Sequence, residues 1–190
     1  MCNLYNATTN VQAIRGLFDI KNSPNLQDFG DIYPGRQTVA VYELDGERLV
    51  AEMRWGFERG FTKRPINNVR AETIDEKAMW KKAFAERRCI LPANWFVEWK
   101  GPKGKKVKYA FSMPDGEPYG TAGVWEFYKG DGDEPSLACS MVVGPPNELV
   151  ADYHDRMPAI LLPDDYGAWL AEPRKDLLRA YEGELKVEAL

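Results

Sequence analysis

A cysteine at position two carries the first chemical possibility in this chain of 190 residues. Removal of Met1 would leave an α-amine and a thiol on one residue. In water an α-amine titrates at about 7.7–8.0 and a cysteine thiol at about 8.5, so a useful fraction of each is nucleophilic near neutral pH. Such a 1,2-aminothiol traps aldehydes: the amine condenses to an imine, and the thiolate closes on the imine carbon to give a five-membered thiazolidine. The same cysteine could instead attack a carbonyl as the nucleophile of an amidase, and an inert N-terminal cysteine is the plain alternative to both.

Three further segments are dense in groups that could assist. Asn68-Val-Arg-Ala-Glu72 offers an amide that can orient a ligand and a guanidinium, Arg70, that can clamp a phosphate; loop capping with a salt bridge to Glu72 competes with that reading. Trp95-Phe-Val-Glu-Trp99 puts Glu98 in an apolar, aromatic strand, where burial would lift its pKa into the range useful for proton transfer. Strand alternation sets Phe96 and Glu98 on one face and Val97 and Trp99 on the other, so Glu98 on a wet face is the competing reading. The last segment, His154-Asp-Arg-Met-Pro158, contains the only histidine of the chain. A solitary histidine is commonly structural, and this one gains interest from its company.

The elements that must position these groups follow from pattern. Val11, Ile14, Leu17 and Phe18 fall on one face of a helix over Asn10–Phe18, capped by Thr9 or Asn10. Thr38–Leu44 and Leu49–Trp55 flank Asp45-Gly46 and read as a hairpin. Thr73-Ile-Asp-Glu76 matches a capping box and predicts a helix from there toward Ala85. Strands are expected at Cys89–Leu91, Phe96–Lys100, Lys106–Ser112, Tyr119–Phe127 and Leu137–Val143, in the manner of an antiparallel meander. Helices after Pro163 through Trp169 and over Arg174–Tyr181 close the chain. The sum is an α+β single domain over residues 1–190 on a curled antiparallel sheet.

Composition narrows the class. A content of 44% hydrophobic residues with 12% aromatics is enough for a folded core. Cys2, Cys89 and Cys139 are odd in number and far apart, which fits neither a disulfide framework nor a metal site and points to the reducing cytoplasm. No apolar run is long enough to span a bilayer, and the start of the chain lacks a secretory signal pattern. The net charge of −4 argues against a general polyanion binder, so any nucleic-acid contact must come from a local basic face. Lys100, Lys103, Lys105, Lys106 and Lys108 form one such run, unless they only protect a sheet edge.

Taken in order, Cys2, Trp55-Gly56, Asn68-Val-Arg-Ala-Glu-Thr73, Arg88-Cys-Ile-Leu-Pro-Ala93 leading into Glu98-Trp-Lys100, and His154-Asp-Arg-Met-Pro158 resemble the SOS response-associated peptidase family, over nearly the whole chain. The resemblance implies a protein that senses abasic sites in single-stranded DNA and crosslinks to them through Cys2 once Met1 is removed, with self-processing, peptidase-like and lyase chemistry among the family's activities. It implies that the sheet is barrel-like and flanked by helices, with Cys2, Asn68, Glu98 and His154 as the catalytic set. DNA contacts would fall to Arg70, Arg156, Trp55, Trp99 and Phe61, with no metal or organic cofactor; the sequence does not fix the oligomeric state, a monomer being the expectation. The chain departs from the family pattern at Asn3-Leu4, where Gly-Arg is frequent, at Val143-Gly-Pro-Pro146, where a threonine is common, and at Gly60-Phe-Thr62, where a tryptophan pair can occur. An N-terminal-cysteine peptidase acting on proteins and a non-catalytic nucleic-acid-binding module are the competing functions.

Overall fold

The computed structural model describes residues 2–129 and 135–190. In chain order the elements are β1 (Tyr5–Asn6), α1 (Val11–Phe18), β2 (Asp31–Ile32), β3 (Gln37–Leu44), β4 (Glu47–Trp55), β5 (Asn68–Arg70), α2 (Ala78–Glu86) and β6 (Arg88–Ala93). They continue with β7 (Trp95–Lys100), β8 (Val107–Ser112), β9 (Tyr119–Lys129), β10 (Pro135–Gly144), α3 (Glu148–Ala151), β11 (Met157–Pro158), α4 (Tyr166–Ala171) and β12 (Lys186–Ala189).

Two sheets organise them. Strands β10, β4, β3, β6 and β9 pair in that order, and β9 pairs back to β10, so five strands close into a barrel. Closure leaves no open edge among these five. The second sheet runs β12-β8-β7-β1-β2, all antiparallel. The α+β class and the barrel-like sheet flanked by helices match the sequence reading. The antiparallel meander needs correction: β10 runs parallel to both β4 and β5, a long-range pairing that strand propensity cannot reveal.

Local signals explain several elements. Asn10 Oδ1 accepts from the backbone N–H groups of Gln12 and Ala13 at 3.0 and 3.2 Å and caps α1. Asp45 and Gly46 both take positive φ, 52° and 77°, as a two-residue hairpin of the primed type requires. The capping box at Thr73 does not form. Ala71–Thr73 is a short 3₁₀ turn, and α2 begins only at Ala78, without a side-chain cap. The expected helix over Arg174–Tyr181 reduces to a 3₁₀ turn at Lys175–Leu177, and β12, which the sequence pattern did not announce, pairs with β8.

Helices α2 and α4 are tied together by Arg88, which is buried yet faces no carboxylate at hydrogen-bond distance. Its guanidinium donates to the carbonyl oxygens of Phe84 and Ala85 at the end of α2 and of Trp169 and Leu170 in α4, at 2.6–2.9 Å. One cation thereby satisfies four carbonyls near the negative ends of two helices. No helix among the described residues is long and apolar enough to cross a membrane.

Candidate active site

Cys2 lies where the two sheets meet. Its carbonyl oxygen accepts from Asn68 Nδ2 at 2.7 Å and from Asn67 Nδ2 at 3.1 Å, both at the start of β5. On the other side, the Val97 N–H in β7 donates to the Leu4 carbonyl at 2.9 Å, and Tyr5 pairs with Phe96. The β5 end is itself pinned to the barrel, since Met141 N–H donates to Asn67 O at 2.9 Å and Ser140 Oγ to Ile66 O at 2.6 Å. The N-terminal segment is thus held from both sheets, and Cys2 is fully buried with its thiol directed at Leu4 O, 3.4 Å away. Met1, whose removal the sequence reading expects, lies outside the described residues.

Glu98 is 2% exposed, so the wet-face reading of this residue fails. The reason is that β7 is covered on both faces. Phe96 stacks on Phe111 at 4.9 Å on the face that Glu98 shares, while Val97 packs with Leu4 and Ala110 on the other. Burial pushes the Glu98 pKa up to about 7, with Asp155 pushing the same way and Lys106 opposing. Burial, and then the nearby Glu98 charge, push the Cys2 thiol up to about 12. The pair is therefore set as a protonated thiol beside a carboxylate poised near neutrality, the arrangement in which the carboxylate can take a proton from a reacting group.

His154 follows α3. Arg156 N–H donates to its Nδ1 at 3.0 Å, and Asp155 Oδ1 lies 2.9 Å from the same nitrogen. These neighbours favour opposite ring states. Burial, the largest influence, holds the His154 pKa below its usual value, and the neutral ring with Nδ1 accepting and its hydrogen on Nε2 satisfies the backbone donor.

A cleft of about 710 Å³ joins these groups: Asn3, Asn67, Glu98 and His154 line it. Tyr33, Pro34, Arg64, Pro65, Trp99 and Lys106 complete the lining. Pro65 reaches this wall because Gly56 takes φ 120° and carries no Cβ, which would lie 2.7 Å from Pro65 Cβ. A larger groove of about 860 Å³ beside Asn147 and Glu182 holds none of the expected site residues.

Of the nine residues singled out from sequence, Glu98, His154 and Trp99 line the cleft; Cys2 and Asn68 are buried behind it, joined through the Cys2 carbonyl, which Asn67 of the lining also holds. Trp55 is fully buried and packs edge-on against Tyr5, with ring centroids 4.8 Å apart. It supports the N-terminal strand from beneath and presents no surface to a ligand. Phe61 is 74% exposed and does not line the cleft. Arg70 is exposed at the end of β5, whereas Arg156 is paired with Glu72, whose pKa falls below its usual value because that guanidinium outweighs the effect of burial. The lining also includes Asn67, Tyr33 and Arg64, which the sequence reading did not assign to the site, and Asn3, which it marked as a departure from the family pattern. Asn67 sits beside an identified asparagine, but alternation along β5 would have turned it away from Cys2.

Comparison with known proteins bears on the family and the fold. Residues 1–189 match the family model described as SOS response associated peptidase (SRAP). Among curated proteins, the chain is 28% identical to the abasic site processing protein YoqW of Bacillus subtilis, over 81% of this chain and 74% of that one. It is 30% identical to YoaM of the same organism, over 74% of this chain and 64% of that one. Among solved structures, a crystal structure of a protein from Bordetella bronchiseptica superposes with a TM-score of 0.84 at 28% identity, covering 100% of this chain and 99% of the other.

Proposed function

The chain belongs to the SOS response-associated peptidase family, and on that premise we propose that it processes abasic sites in single-stranded DNA by joining Cys2 covalently to the ring-opened sugar. The observation that carries this reading is buried Cys2 beside a cleft lined by Glu98 and His154: the Glu98 charge acts on its thiol, and its carbonyl is held by Asn68 and by Asn67 of the cleft lining. The relatives named abasic site processing proteins support it further. Met1 must first be removed, because an acylated nitrogen cannot form an imine.

The chemistry then runs in balanced steps. An abasic deoxyribose opens to an aldehyde at C1′ and a hydroxyl at C4′; this proton shift suits His154 and Glu98 acting as an acid and a base. The freed Cys2 amine adds to the aldehyde carbon, and the carbinolamine loses water to give the imine. The Cys2 sulfur then bonds to the imine carbon as the thiol proton passes, by way of Glu98, to the imine nitrogen, leaving a thiazolidine. One water leaves overall and no redox partner is needed. Cationic groups at the cleft, among them Lys106 and Arg64, would hold the phosphates.

Intact-mass measurement after mixing the processed protein with an abasic oligonucleotide tests this reading. The expected product has the summed masses less one water, forms with the abasic strand only, and, measured after denaturation without borohydride, does not persist with Cys2→Ser, whose amine gives only a hydrolysable imine. An unmodified protein that instead turns over a peptide substrate would replace this reading with the N-terminal-cysteine peptidase.

A further inference from the structure

Tyr33 is the most exposed aromatic lining the cleft, at 45%, and the catalytic chemistry makes no use of it. It follows β2 directly, and β2 is the strand that pairs with β1. The register sets Tyr5 opposite Ile32. Tyr33 is the next residue on, at the end of the pairing that points back along the chain toward Cys2, and it lines the cleft together with Asn3, Glu98 and His154.

The backbone holds Tyr33 firmly at that place. Arg36 N–H donates to Tyr33 O at 3.0 Å and closes a turn, and Gly35 N–H donates to Trp55 O at 2.7 Å. Gly35 takes φ 85°, and a Cβ there would lie 3.3 Å from Pro65 Cγ, so the turn is seated on the same proline that forms the cleft wall. An exposed ring on a rigid turn loses little freedom when a ligand covers it. Arg64 and Lys106 line the same cleft and supply charge for phosphodiesters.

An exposed aromatic face in a cleft that also carries cationic groups is an arrangement by which proteins hold single-stranded nucleic acid without reading its sequence. We propose that Tyr33 is the stacking platform for the base of the nucleotide next to the abasic site, so that the protein recognises a missing base together with an intact base on one particular side of it. The proposal rests on the abasic-site reading above, and it adds a substrate requirement: a single abasic residue flanked by a base is preferred to a run of base-less residues.

The test measures binding to oligonucleotides whose central lesion is a reduced, aldehyde-free abasic analogue, so that affinity is read without crosslinking. The 5′ or the 3′ neighbour is either a normal nucleotide or the same base-less analogue. Base–aromatic stacking is worth roughly 1–3 kcal/mol, so Tyr33→Ala should weaken binding to the fully based strand by roughly 5- to 150-fold, with Tyr33→Phe close to the parent. Removing the stacked neighbour base should weaken the parent by a similar factor, and Tyr33→Ala should then add nothing further. The opposite neighbour should show no such coupling. Equal losses on all strands, or no loss on any, would overturn the proposal. Failure of the abasic-site reading is separately visible, as an absence of aldehyde-dependent adduct with the parent protein.

Discussion

Asn68 Nδ2 and the Cys2 carbonyl oxygen lie 2.7 Å apart, while Asn68 Oδ1 is buried with no hydrogen-bond partner among the described residues. The amide is thus committed by its donor end to the backbone of Cys2, while its acceptor end is left over. Asn68→Ala should slow adduct formation about 10-fold, the rate equivalent of one hydrogen bond, at unchanged affinity for an aldehyde-free lesion. Single-turnover crosslinking beside equilibrium binding separates the two quantities.

Glu98 gives the reaction a pH signature. Its carboxyl is raised from 4.5 to about 7, so the base form accumulates as pH rises through 7, and the crosslinking rate should rise with it. Glu98→Gln should flatten that profile and lower the rate by about 10²–10⁴-fold. Stability should move the opposite way. Between 4.5 and 7 the folded state binds more protons at this site than the unfolded chain, so folding free energy is lost as pH climbs through that window and is level above it. Glu98→Gln should therefore melt at a higher temperature than the parent above pH 7 and converge with it near pH 4.5, as read by thermal denaturation in a pH series.

Lys106 and Lys103 belong to one basic run, but only Lys106 lines the cleft; Lys103 is exposed on the β7–β8 turn. Lys106→Gln should reduce the slope of log K against log salt by roughly 0.7, one phosphate contact on a single strand, and Lys103→Gln should leave it unchanged. Titrations at four salt concentrations decide this.

Arg88→Met should cost about 3 kcal/mol or more, because four carbonyl acceptors lose a shared charged donor inside the protein. Arg88→Lys should recover only part, since an ammonium cannot reproduce the planar fork. Urea midpoints report the difference.

How much of this could be read from sequence depended on the range of the interaction. Asn10 and Asp45-Gly46 act within three or four residues, and their helix cap and turn stand where the pattern put them. The Thr73 capping box is equally local, yet tertiary pairing of β5 with β10 commits the preceding backbone and delays the helix to Ala78. Glu98 illustrates the opposite limit. Its alternation with Val97 was legible, but which side would be covered depended on Leu4, Phe111 and Ala110, far away in sequence. Tyr33 and Asn67 carried no local signal, because each reaches the site only through a strand partner supplied by another segment.

The double anchoring of the N-terminal segment also fixes an order of events during synthesis. Cys2 leaves the ribosome first, whereas Asn67, which grips its carbonyl, is added 65 residues later, and Phe96, the strand partner of Tyr5, later still. At roughly 5–20 residues per second, the nascent chain presents a naked N-terminus for several seconds before the pieces that bury it exist. An aminopeptidase has its opportunity then. On the proposed chemistry, excision of Met1 would fall in that interval, before Cys2 is buried.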